Sequence, residues 1–230
     1  MADYGWRVSN PGTNLIQVDS TYKNLALRAK YTVAFPAGAM PFRRAELNIP
    51  MSASGVIAWR CDQPAAYVYR SGDLCVFWSP GGFPPGTLTV YVFDEPQYAP
   101  LYGNYGVRSK DAAWGVTFDS RYKYMKLQDL YQGSIIGAPV NDTFSRSYAR
   151  LPAVVQGNLA YVHAWLQIGV SPPFQYIETM TMQYVSTPGA GTVTWHLVQY
   201  AQPMTLFPPP GFIDTQQMTR SHTIMDVAGL

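Results

Sequence analysis

An internal repeat constrains this chain more than any other feature. Tyr4-Gly5-Trp6-Arg7 is echoed by Tyr105-Gly106-Val107-Arg108. Asp19-Ser20-Thr21-Tyr22-Lys23-Asn24-Leu25-Ala26-Leu27 is echoed by Asp119-Ser120-Arg121-Tyr122-Lys123-Tyr124-Met125-Lys126-Leu127, with Asp, Ser, Tyr, Lys and Leu in identical places. One single-residue gap reconciles the two offsets, 101 and 100. Further on, Gly86-Thr87-Leu88-Thr89 finds its match in Gly191-Thr192-Val193-Thr194, each entering an apolar run. Self-similarity at a fixed spacing marks a structural unit used twice. The fold must therefore be one that two copies of a unit of about 100 residues can build.

The unit reads as β. Leu74-Cys75-Val76-Phe77-Trp78, Thr87 to Phe93, Met180 to Val185 and Thr192 to Val198 are rich in β-branched and aromatic residues, and several alternate with period two. Ser79-Pro80-Gly81-Gly82-Phe83-Pro84-Pro85-Gly86 and Thr187-Pro188-Gly189-Ala190-Gly191 are turn punctuation between such runs. With 19 Pro and 19 Gly spread along 230 residues, a long helix has few places to sit. The best helical candidate is short, Lys126 to Tyr131. The expectation is an all-β protein with two tandem β-sandwich-like domains, residues 1–97 and 105–206. Residues 98–104, with Pro100 among them, read as a linker. Residues 207–230 read as an extended C-terminal arm, opened by the triple proline Pro208-Pro209-Pro210. The arm's apolar side chains, Phe207, Phe212, Ile213, Met218, Ile224, Met225 and Val227, are expected to dock on a partner, so that deleting 208–230 would leave the rest folded.

Charge and aromatic content bear on function. Charged residues make up 13% of the chain, below the roughly 25% of an ordinary soluble domain, and aromatics reach 14%. Either much of the surface is uncharged and built for contact, or the sheets have a Tyr-rich core. The net charge of +2 comes from scattered Arg and Lys, with Arg43-Arg44 the one adjacent basic pair, so a nucleic-acid partner is not expected. Leu151 to Val170 is the most apolar long window, but Gln156, Asn158, His163 and Gln167 interrupt it, and it reads as strands and not as a membrane span. Met1-Ala2-Asp3-Tyr4-Gly5 has neither a basic nor an apolar signal region, which points to synthesis in the cytoplasm. Cys61 and Cys75 can face each other across a hairpin and bond, while buried free thiols are the commoner state in that compartment.

No residue pattern points to catalysis, to a metal or to a cofactor. The histidines His163, His196 and His222 are scattered, and neither H-E-x-x-H nor paired C-x-x-C occurs. No G-x-S-x-G elbow appears, and Gly103-Asn104-Tyr105-Gly106 lacks the spacing of a phosphate loop. A glycan hydrolase would need paired carboxylates, yet of 14 acids several, including Asp19, Asp94, Glu95 and Asp119, are explained by turns and strand ends. The expectation is a non-enzymatic protein with no catalytic, cofactor or metal residues. Trp59, Tyr67, Tyr69 and Trp78, or Trp165 and Tyr184, can serve equally as core or as contact.

The repeat openings, Tyr4-Gly5-Trp6-Arg7-Val8 with Asp19-Ser20 and Tyr105-Gly106-Val107-Arg108 with Phe118-Asp119-Ser120, together with Thr87 to Asp94, resemble a group of small tail proteins of siphophages and related prophages. Ser109 stands where the first copy has Val8, so the second opening strand departs from the pattern. The resemblance implies a virion component at the tail tip, baseplate or fibre. Its partners would be other tail proteins and further copies of itself. The alternative is a module that itself recognises a host surface glycan or pilus, with Tyr and Trp stacking on the ligand.

Overall fold

The computed structural model describes residues 7–9, 16–19, 24–37, 41–110, 114–135, 141–167, 176–204, 215–217 and 219–230. They form eighteen strands and one short 3-10 turn, so the all-β expectation holds. The residues expected to be helical lie instead in a strand. The first half contains β1 (Arg7–Ser9), β2 (Ile16–Asp19), β3 (Ala26–Ala34), β4 (Phe42–Asn48), β5 (Val56–Cys61), β6 (Ala66–Ser71), β7 (Leu74–Pro80) and β8 (Thr87–Asp94). After the 3-10 turn Pro96–Tyr98 come β9 (Arg108–Lys110), β10 (Val116–Asp119), β11 (Lys126–Ser134), β12 (Thr143–Ser147), β13 (Pro152–Asn158) and β14 (Tyr161–Gln167). The last four are β15 (Tyr176–Ser186), β16 (Thr192–Met204), β17 (Thr215–Gln217) and β18 (Thr219–Asp226).

The two halves repeat one pairing scheme. Each opens on an antiparallel hairpin in which an Arg faces the Asp of Asp-Ser, Arg7 opposite Asp19 and Arg108 opposite Asp119. The sequence motif has a local cause that the second copy displays. Val107 and Ser120 exchange hydrogen bonds, from Ser120 N to Val107 O at 2.8 Å and from Val107 N to Ser120 Oγ at 2.9 Å. A Cβ on Gly106 would come within 2.6–2.7 Å of the Arg121 and Ser120 side chains, so the Tyr-Gly end can lie against Asp-Ser only with glycine there. Seven residues after each Asp comes a nine-residue strand, β3 or β11. Ala26 pairs with Asp94 and Lys126 with Asp226, and one-residue bulges follow at matching places, Leu27/Ala29 and Leu127/Asp129. The counterpart of β8 is therefore β18.

Fourteen of the eighteen strands lie in two layers, and the β1–β2 and β9–β10 hairpins are small sheets of their own. The first is a six-stranded antiparallel sheet of order β11-β18-β13-β5-β8-β3, three strands from each half, joined where Val154 of β13 pairs with Trp59 of β5. The second consists of β4-β7-β6 from the first half and β12-β16-β15-β14-β17 from the second. These meet where Ala65 and Val185 exchange backbone hydrogen bonds of 2.9 and 2.7 Å. Between the layers sits the main core, with Trp59, Phe77, Leu88, Val90, Val92, Val154, Trp195 and Ile224 fully buried. Each such side chain contributes about 1.5–3 kcal/mol on burial. The six-stranded sheet curls until its edges touch, Leu27 N donating to Lys123 O at 2.7 Å and Met125 N to Leu25 O at 3.0 Å. A second core of Leu27, Ala58, Tyr91, Phe93, Ala153, Met225 and Val227 fills the concave side.

Two expectations are corrected. Residues 1–97 and 105–206 are not separate domains strung on the 98–104 linker, because both layers run through the two halves. Each three-stranded half-sheet would otherwise leave β5 or β13 as an open edge, and pairing them satisfies those backbone groups. Nor do the described residues of 207–230 form an extended arm. Thr219–Asp226 is an interior strand between β11 and β13, with Ile224, Met225 and Val227 buried, because each half needs a strand in that place to complete its sheet. Pro208-Pro209-Pro210, Phe207, Phe212, Ile213 and Met218 lie outside the described residues.

Candidate functional site

The polar residues singled out in the sequence are chiefly structural. Asp119 is fully buried and accepts bonds from Arg121 Nη2 (2.6 Å), Arg108 Nε (2.7 Å), Arg121 Nε (2.8 Å) and Arg121 N (3.0 Å). The last is the turn-fixing contact expected of it; the Arg121 side chain, chiefly, and Arg108 hold its carboxyl far below the usual range. Asp94 is also buried. Burial alone would raise its carboxyl, but the bonds from Ser52 Oγ and N, Arg28 and Glu95 N outweigh burial and lower it. The side chain of Asp19 lies outside the described residues.

The remaining candidate groups are enclosed. Ser186 Oγ lies 2.8 Å from His196 Nε2, but Ser186 is buried and His196 packs edge-on against Phe83, its basicity lowered by burial. His222 sits beneath Trp195, whose Nε1 donates to its Nδ1 at 3.4 Å. Burial, and secondly the charge of Arg220, lower its pKa to about 3. Cys61 and Cys75 are free, buried thiols, and burial pushes Cys61 up to about 12. Among the described residues no three His, Cys, Asp or Glu side chains are placed to hold a metal, and no helix is long and apolar enough to cross a membrane. Trp59 and Tyr184 belong to the core, Tyr67 and Trp78 are half-buried, and Tyr69 is exposed, its hydroxyl accepting from Arg44. The side chain of Trp165 lies outside the described residues.

Two features face outward. The first is the stretch from the 3-10 turn through the β9–β10 hairpin, where Tyr98, Leu101, Tyr102, Tyr105, Val107 and Trp114 are all exposed. Tyr105 is 95% and Trp114 78% accessible, and Trp114 has φ +65°, which an aromatic residue adopts only at a cost. Lysines stand over two of these rings, Lys123 at 4.6 Å from the Tyr102 centroid and Lys110 at 5.1 Å from that of Trp114.

The second feature is a cleft of about 370 Å³ at the second-half end of the concave face, lined by Val56, Met125, Leu127, Leu130, Val155 and Met225, with Asp129 and Thr223 as its polar members. Its lining is almost wholly apolar, and Leu130 on its wall is 62% exposed. The pairing scheme explains why it is open. Lys30 pairs with Tyr91 across β3 and β8, and Leu130 pairs with Thr223 at the matching place across β11 and β18. In the first half the buried Tyr91 ring takes up part of the space, with Lys30 Nζ 5.1 Å from its centroid, and both line the more polar cleft of about 330 Å³ that remains there. In the second half a threonine leaves it open. Neither feature is signalled by the sequence, since exposure and the register of β18 both depend on the assembled sheets. No family model, curated protein or solved structure matches the chain.

Proposed function

We propose that the protein is a structural component of a bacteriophage tail, at its tip, baseplate or fibre, assembling there with other tail proteins and with copies of itself. The tail assignment rests on the Tyr-Gly and Asp-Ser openings; the assembly role is supported by the chain's surface. The observation that carries it is the set of exposed aromatic and aliphatic groups Tyr98, Leu101, Tyr102, Tyr105, Val107 and Trp114, gathered beside the β9–β10 pair. Large apolar groups held in water mark surfaces that a partner covers, and Tyr and Trp are the side chains most used there. The polar groups that chemistry would need are meanwhile engaged in structure: Asp119 and Asp94 in ion pairs and turns, His222 and Ser186 inside the core. These engagements support reading the chain as a scaffold.

Deletion of the gene from its phage or prophage genome tests the proposal. The expected result is particles with missing or incomplete tails by electron microscopy, restored by the gene in trans. Morphologically complete tails from the deletion strain would refute it. The exposed Tyr105 and Trp114 also suit stacking on a sugar ring, the second reading. Complete but non-adsorbing particles, with binding of the isolated protein to host glycan lost on Trp114→Ala, would favour that reading over the first.

A further inference from the structure

We infer that the cleft beside β11 is a socket for the Trp114 indole of a second copy of this chain, so that the protein associates head to tail. The inference rests on the assembly reading above and names its contact. Its starting point is the internal repeat. In the first half the equivalent space holds an aromatic ring with a lysine over its face, Tyr91 under Lys30 at 5.1 Å. In the second half both members are replaced, Tyr91 by Thr223 and Lys30 by Leu130, and the walls that remain are apolar. A cleft of this kind fits what its twin contains: a ring, with a cation at the rim.

The same chain presents that pair elsewhere. Trp114 stands on the β9–β10 hairpin with Lys110 Nζ 5.1 Å from its ring centroid, the same separation as in the filled site. The indole is 78% exposed on a backbone of positive φ, so it is held outward at a conformational cost that burial in a partner would offset. The lysine would arrive beside Asp129, the acidic member of the socket. Asp129 Oδ2 is already held by Arg146 (3.0 Å) and Tyr148 (3.1 Å), which fixes its carboxylate at the wall. β11 is an outer strand of its sheet beyond the Leu25–Met125 junction, and its Leu130 stands exposed on the cleft wall. As a one-way, head-to-tail contact it leaves each copy with a free knob and a free socket, and such a heterologous contact builds a ring or an open filament.

The test uses the full-length protein in sedimentation velocity over a range of concentrations. Wild type is expected to show a series of species above the monomer. Trp114→Ala removes the knob, and Thr223→Tyr with Leu130→Lys rebuilds the filled first-half pair inside the socket. Each variant alone should be monomeric, with its melting midpoint close to that of wild type. Mixed one to one, they should form a dimer and nothing larger, because one supplies the only intact socket and the other the only intact knob. A monomeric wild type at all concentrations would overturn the inference, as would self-association that survives either change. Should the gene deletion abolish tails while the wild-type protein stays monomeric, the tail assignment stands and the knob-and-socket contact falls. Complete tails from the deletion strain, beside a one-to-one dimer of the two variants, mean the reverse: the contact stands and the tail assignment falls.

Discussion

Ile224→Ala probes the placement of the C-terminal strand. Ile224 is 0% exposed in the interlayer core and lies in β18, paired with Asp129 on one side and Val154 on the other. Truncating a buried isoleucine to alanine costs about 2–5 kcal/mol, the upper part of the range applying where the walls cannot collapse. Here the walls are strands on both sides and the opposing layer in front, so a value in the upper half is expected. At about 2–4 °C per kcal/mol for a chain of this size, the thermal midpoint should fall by roughly 7–20 °C. Leu130→Ala, in the neighbouring strand but largely exposed, is the control and should stay within about 1 kcal/mol. Urea unfolding of both variants supplies the free energies. A change at Ile224 within about 0.5 kcal/mol of wild type would mean that β18 is not an interior strand.

Three further outcomes follow from the same packing. Deleting 208–230 removes β18 from between β11 and β13 and should abolish cooperative unfolding by circular dichroism; a truncated protein that still melts sharply would contradict the sheet order. His222 titrates near 3 when folded and near 6.5 when unfolded, so the unfolded chain binds the extra proton between those values. Stability should therefore fall as pH drops from about 6.5, by up to about 1.4 kcal/mol per unit, and His222→Val, which copies Val90, should flatten the slope between pH 6.5 and 5. An unchanged slope in that variant counts against the buried neutral imidazole. Cys61 and Cys75 should resist a thiol reagent in native buffer and both react in denaturant, and rapid native labelling of either would place it at the surface.

Much of the architecture is legible in the sequence because β-branched runs and Pro-Gly turns are local signals. The pairing of the halves is not, since nothing along the chain marks β5 and β13 as mutual neighbours. The helical reading of Lys126 to Tyr131 fails for a traceable reason. The bulge at Gln128 shifts the alternation by one, so Leu127 and Leu130 line the same cleft although three apart, the spacing of a helix face. The last strand is hidden differently. Thr219-Arg220-Ser221-His222-Thr223-Ile224-Met225-Asp226 puts a histidine where β8 has Val90, which weakens its apolar pattern. The match of Gly86-Thr87 to Gly191-Thr192 then draws β8 onto β16, whose real counterpart is β7: β16 lies between β12 and β15 as β7 lies between β4 and β6. Of the candidate surfaces, 98–104 is legible only as a linker and 105–108 only as a repeat opening, and the cleft only through comparison of Tyr91 with Thr223 once the register is known.

Whether this chain is built into a tail is decided by quantitative mass spectrometry of density-purified particles from the genome that encodes it. The protein is expected in those particles at a fixed ratio to the main tail-tube subunit, the same in every preparation and retained through a high-salt wash. Complete, infectious particles that lack the protein would show that it is not a tail component.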